Sequence, residues 1–273
     1  DFCLSRGLGD VYKRQVYDGT EHSITGYKTM TADNALYAVE TNVTETPTAA
    51  WTAKGTDANK YPVGIKAGDF RNTSANFTNV EFVVVDGELE ITPITDKVTV
   101  TITGNHASKV YNTAEQSVTG YTTDVGSKTI SVALKTAGKD TAKGTDVGTY
   151  YMGLTAGDFT VTSSNYSNIK VNVVDGYLEI TPITDKVTVT VVENSDTVTY
   201  DEQEHTVTGY KSMTADNTLY TVETNVSETP TAAWTAKGTE AGEYPVDIKA
   251  GDFKNTSGNF TNVEFVIVDG ALT

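Results

Sequence analysis

His22 and His205 each follow a glutamate (Glu21, Glu204) and hold equivalent places in a repeated stretch, a pairing that could serve acid–base chemistry or supply a metal ligand. The matching place in the middle of the chain carries Gln116, which does neither, so a polar turn residue accounts for all three. His106 stands in another loop with no histidine near it in sequence, and neither zinc spacing nor triad spacing emerges. Aspartates recur at Asp69, Asp158 and Asp252 and again at Asp86, Asp175 and Asp269. A calcium loop crowds several oxygen ligands together, which none of these clusters supplies; the acidic linkers at Asp96 and Asp185 come closest. Turn formation, by bonding backbone two residues on, is their expected work. Lys97 and Lys186 suggest an isopeptide crosslink, but that chemistry needs burial beside an Asn or Asp and an acid. Both lysines precede the apolar alternation of their strands, where a solvated ammonium is expected. The sequence thus offers no catalytic residue, no cofactor site and no metal site. Trp51 and Trp234 remain as ligand-binding candidates, and Asp140 aligns with them in the middle repeat. Their rings would either stack on a sugar from an exposed position or cover apolar surface added by a longer insertion.

A tandem array has to position these residues. ITPITDKVTV occurs letter for letter at 91–100 and 180–189. Ala-Gly-Asp-Phe and Val-Asp-Gly precede each copy, at 67–70 and 85–87, then at 156–159 and 174–176, and a third approach stands at 250–253 and 268–270. A period of about 90 residues divides the chain into three units of one fold, 16–93, 94–182 and 183–273, with 1–15 apart from them. The middle unit is complete and serves as template. Its stretch 97–103 alternates, which puts Val98, Val100 and Ile102 on one buried face. Further strands are expected over 116–121, 129–134, 149–154, 168–174 and 177–180, with Asp175-Gly176 as a tight hairpin between the last two. Turn signals every ~8–12 residues and the lack of an amphipathic helix make the fold all-β: a tandem array of three immunoglobulin-like β-sandwich repeats, the first and last truncated.

The run Asp146-Val147-Gly148-Thr149-Tyr150, echoed at 57–61 and 240–244, has the spacing of a corner in which a tyrosine hydroxyl bonds back to nearby backbone. Pro93 and Pro182 stiffen the short linkers, so the array is expected to extend as a rod on the order of 100 Å. The first unit has no alternating first strand where one should stand. Its open sheet edge would make it the least protected of the three.

The formal net charge is -16, from 36 acidic and 20 basic residues, which repels a phosphate backbone or an anionic membrane and excludes nucleic acid as a partner. No apolar run approaches the ~18 residues of a membrane span. The single cysteine, Cys3, provides neither a disulfide framework nor a thiolate metal site. Residues 5–15, SRGLGDVYKRQ, resemble translated sequencing-adapter sequence, and 1–15 are set aside as a probable adapter artefact when the fold is read.

The segments VYDGTEHSITGY (16–27), VYNTAEQSVTGY (110–121) and TYDEQEHTVTGY (199–210), each followed by TDVGTYYMGL-like and VDGxLEITP-like segments, resemble the YDG/MBG-type tandem repeats of Gram-positive bacterial cell-surface adhesins across residues 16–273. The resemblance implies an extracellular, wall-attached, repetitive β module, and brings neither catalytic residues nor a ligand site with it. The leading expectation is a non-enzymatic stalk whose partners are the neighbouring repeats of its own chain. The alternative is a glycan- or mucin-binding module using Trp51 and Trp234. Membrane insertion is not expected within this stretch.

Overall fold

Alternation of apolar and polar side chains sets the strands, because successive residues of an extended chain face opposite sides of a sheet. The structure, a computed structural model, describes residues 12–47 and 51–273. In the first repeat the strands are β1 (Tyr12–Val16), β2 (His22–Thr25), β3 (Val43–Glu45), β4 (Thr52–Gly55), β5 (Asn59–Pro62), β6 (Phe70–Asn72) and β7 (Glu88–Thr92). The middle repeat has β8 (Val98–Gly104), β9 (His106–Val110), β10 (Gln116–Thr119), β11 (Tyr121–Asp124), β12 (Ser131–Leu134), β13 (Thr141–Gly144), β14 (Gly148–Tyr151), β15 (Phe159–Thr162), β16 (Ile169–Val174) and β17 (Tyr177–Thr181). The third has β18 (Val187–Glu193), β19 (His205–Thr208), β20 (Tyr210–Ala215), β21 (Val226–Glu228), β22 (Thr235–Gly238), β23 (Tyr244–Pro245), β24 (Phe253–Asn255), β25 (Val263–Val268) and β26 (Ala271–Leu272). Helix is confined to single turns such as Val39–Asn42 and Val222–Asn225.

The chain is all-β, built of small two- and three-stranded sheets. In the third repeat β18 is central, antiparallel to β20 and parallel to β25, with Val187 opposite Val263 and Val192 opposite Val268. Val187, Val189 and Val191 point inward with no exposure, as the alternation requires. The middle repeat repeats the order as β11-β8-β16, where Val98, Val100 and Ile102 are the buried set. Each such side chain taken out of water stabilises the fold by about 1.5–3 kcal/mol.

Compactness divides the described chain into two units. One comprises the described residues up to Ile102 with Thr123–Lys135 and Ala156–Asn172; the other comprises Thr103–Thr122, Thr136–Thr155 and Val173–Thr273. The first contains a core of Ile24, Trp51, Ala53, Val63, Ile65, Phe70, Leu89 and Ile91. The second contains two clusters, one around Val191, Trp234, Val246, Phe253 and Leu272, the other around Ile183, Val187, Val189, Tyr220 and Phe260.

Asp175-Gly176 does not make the expected hairpin. β16 and β17 run on through it without pairing to each other, and β17 lies parallel to β9, with Tyr177 opposite His106 and Thr181 opposite Val110. Gly176 is absent from the residues with positive φ, the conformation a tight turn would ask of it. It serves close approach instead: a Cβ there would stand 2.5 Å from the Asn105 carbonyl oxygen.

Tyr12–Gln15, within the adapter-like stretch, are paired. β1 lies parallel to β7, Tyr12 opposite Glu88 and Val16 opposite Thr92, in the place that β9 takes beside β17. Ladder bonds use backbone groups that any residue but proline supplies, so pairing makes no demand on sequence. The side chains fit less well: the Gln15 amide oxygen is buried without a hydrogen-bond partner, whereas Lys109, at the matching place, donates to the Ser117 carbonyl at 2.9 Å. The expectation that the first repeat lacks its first strand falls on residues that lie outside the described ones.

Candidate functional site

His22 and His205 each close their own turn. His22 Nε2 lies 2.9 Å from Asp18 Oδ1, and His205 Nε2 2.8 Å from Asp201 Oδ1. The Thr20 amide above all, then the Thr20 hydroxyl and the His22 ring, hold the Asp18 carboxyl down at about 2. Asp201 is lowered as well, chiefly by His205 and then by the Gln203 amide. Gln116 does equivalent work with its amide, donating to the Val110 carbonyl at 2.9 Å. His106 is stacked on Tyr177 at 5.5 Å. Among the described residues no group of three His, Cys, Asp or Glu is placed to hold a metal ion. Asp96, Asp185 and Lys97 are exposed, and Lys186 is an exposed partner of Glu264.

Trp51 and Trp234 are buried, at 5% and 6% exposure, which corrects the expectation of an exposed sugar-stacking face. Trp51 packs on Phe70 at 5.4 Å and donates its indole N–H to Asp69 at 2.9 Å; Trp234 packs on Phe253 at 5.5 Å and donates to Asp252 at 2.8 Å. Both rings belong to the hydrophobic cores of their repeats, beside framework residues and not only beside the longer insertion. Both aspartates also accept a backbone amide, from Lys66 and Lys249, and these amides, then the indoles, lower their pKa values. The other aspartate series works across strands, not within its own turn. Asp86 accepts the amides of Gly64 and Ile65, and Asp175 those of Gly153 and Leu154. In the third repeat Glu193, 3% exposed, takes over, accepting Ile248 N and Gly270 N at 2.7 Å each.

The expected tyrosine corner forms in all three repeats. Tyr61 donates to the Asp57 carbonyl at 2.8 Å, Tyr150 to that of Asp146 at 2.9 Å and Tyr244 to that of Glu240 at 3.1 Å. A glycine lies beneath each ring; a Cβ at Gly144 would stand 2.2 Å from Tyr150.

These corners hold the joints between repeats, where the polar side chains converge. Asn165 is 1% exposed. Its Oδ1 accepts the Ala58 amide at 2.6 Å, and its Nδ2 donates to Asp57 and to Thr129, both at 2.8 Å. The linker closes the joint: Ile94 N donates to the Asn165 carbonyl at 2.9 Å, and Tyr166 stands edge-on to Tyr17 at 5.9 Å. The second joint is the same device. Asn259 accepts Val147 N at 2.8 Å and donates to Asp146 at 3.0 Å, Ile183 N donates to the Asn259 carbonyl at 2.9 Å, and Phe260 stands edge-on to Tyr111 at 5.7 Å. A buried amide with both ends bonded holds one geometry, because each bond lost inside leaves a polar group unpaired at about 1–3 kcal/mol. The sequence reading passed over Asn165 and Asn259. The signal available was the recurring Asn-aromatic-x-Asn run at 165–168 and 259–262.

No family model matches the chain, and no curated protein is significantly similar to it. Among solved structures, the N-terminal four Ig domains of Dscam1 isoform 9.44, crystallised with zinc, align at 11% identity over 95% of this chain and 71% of that one, with a TM-score of 0.17.

Proposed function

We propose that the chain is a run of non-enzymatic spacer repeats from a bacterial cell-surface adhesin, extracellular and wall-attached, which carries a binding function elsewhere in that protein away from the wall. One observation carries this reading: an asparagine side chain bonds one repeat to the corner of the one before it, and does so twice in the same way, Asn165, buried, on the Asp57 corner and Asn259, half-buried, on the Asp146 corner. A spacer needs such joints, because a flexible connection would let the repeats fold back and lose reach. The charge of -16 suits a surface that stays solvated and does not stick to anionic polymers. The YDG/MBG resemblance supplies the adhesin context.

The glycan- or mucin-binding alternative rested on Trp51 and Trp234, whose rings are committed to the core. Applying the purified chain to immobilised mucin and to a glycan array tests the choice. No saturable binding is expected; saturable binding that survives removal of the tryptophan side chains would replace the spacer reading with a binding one.

A further inference from the structure

Tyr17, Tyr111 and Tyr200 hold one place in their repeats, and Asp57, Asp146 and Glu240 another. At the first two tyrosines an aromatic ring from the next repeat stands edge-on, and both are half-buried. Tyr200 is 54% exposed. Beside it lies a cavity of about 100 Å³ bounded by Val198, Glu240, Ala241 and Tyr244 among others. The corner that grips an asparagine at the two joints is already built here, through the Tyr244–Glu240 bond.

The matching insert exists on the first repeat as Asn76–Phe77, equivalent to Asn165–Tyr166 and Asn259–Phe260. Its turn has the seated form. Asn76 N donates to Ser74 Oγ at 3.3 Å, as Asn165 N does to Ser163 at 3.1 Å and Asn259 N to Ser257 at 3.3 Å. Exposure separates the asparagines: Asn76 is exposed where Asn165 is buried and Asn259 half-buried, while Phe77 is half-buried, as Tyr166 is, and Phe260 buried.

From this we infer that the Tyr200–Glu240 end of the third repeat is a socket for the Asn-aromatic pair of another repeat of the same kind, and that a second copy of this chain docks there through Asn76 and Phe77. Ala241 N–H donates to Asn76 Oδ1, Asn76 Nδ2 donates to the Glu240 carboxylate, and the Phe77 ring stands edge-on to Tyr200. The two surfaces differ, so the contact is heterologous and propagates as an open row without closing at a dimer. The inference rests on the joints being the building device of a spacer. It fails separately, because its test does not involve mucin or glycan.

The test uses two forms of the full chain. An isotope-labelled chain carrying Asn76→Ala, so that it reports only through its socket, is kept dilute and titrated with unlabelled chain to about 1 mM, the effective concentration that a short tether supplies. The Ala241 amide and the Tyr200 ring should shift progressively and saturably with the unaltered chain, and stay still with unlabelled Asn76→Ala chain, a substitution at an exposed side chain. No shift at either group, or equal shifts with the Asn76→Ala chain, overturns the inference.

Discussion

The middle and third repeats close the same corner, where the first strand bends beside the last, with carboxylates from opposite strands. In the middle repeat Asp175, at the end of β16, takes the amides of Gly153 and Leu154. Gly153 sits at φ +70°, and Gly104 faces Gly176 so closely that a Cβ would stand 2.4 Å from its nitrogen. In the third repeat the residue matching Gly104 is Glu193, and the residue matching Gly153 is Asp247, which does not have positive φ. The carboxylate now comes from the first strand and takes Ile248 N and Gly270 N. Buried amides must be met by an acceptor, but the strand that supplies it is free to change. The change is concerted, because a side chain at the Gly104 place needs room and a side chain at the Gly153 place needs another backbone conformation.

Removing the third repeat's carboxylate should break its half of this comparison. Glu193→Ala orphans two buried amides and is expected to cost about 2–4 kcal/mol, read as a lower urea midpoint, with Glu193→Gln recovering part of it. Transplanting one solution into the other repeat sharpens the point. Gly104→Glu and Gly153→Asp should each destabilise the middle repeat by about 1–3 kcal/mol, and the double variant by less than their sum, with a coupling of at least ~1 kcal/mol in a thermodynamic cycle. Strict additivity would mean that the two exchanges are unrelated. The smallest effect concerns the His-closed turns. The folded pKa of Asp18 lies below its ordinary 3.8, at about 2, so its contribution is present in full above that ordinary value and is lost as pH falls toward 2. The protection of amides around Thr20, taken relative to the intrinsic exchange rate at each pH, should therefore fall between pH 4 and pH 2 and no longer do so in Asp18→Asn, while that of the Gln116 turn of the middle repeat stays flat over the same range.

Much of the β framework could be read from sequence because it rests on local rules. Alternation placed Val98, Val100 and Ile102 inside, and the Asp-x-Gly-x-Tyr spacing marked the corners that form. Asp175-Gly176 misled because its turn chemistry is real but weaker than the pull of β9 and β8 on either side, which draw the chain straight on. The tryptophans looked dispensable to the core because the middle repeat lacks them; in the other two repeats they pack among framework residues such as Phe70 and Phe253, and Asp69 and Asp252 supply the indole acceptor. Asn165 and Asn259 were invisible for a different reason. Each meets its corner partners more than a hundred positions away, and an asparagine in a polar loop looks like any other until that distance is closed.

The parallel pairing of β9 with β17 and of β18 with β25 also decides how a repeat answers a pull. Force entering along β9 or β18 and leaving along its partner, β17 or β25, runs parallel to both strands and perpendicular to their shared hydrogen bonds, so the rungs are sheared together and do not peel open singly. A repeat built this way resists tension through the whole ladder at once, and gives way abruptly when it gives way at all.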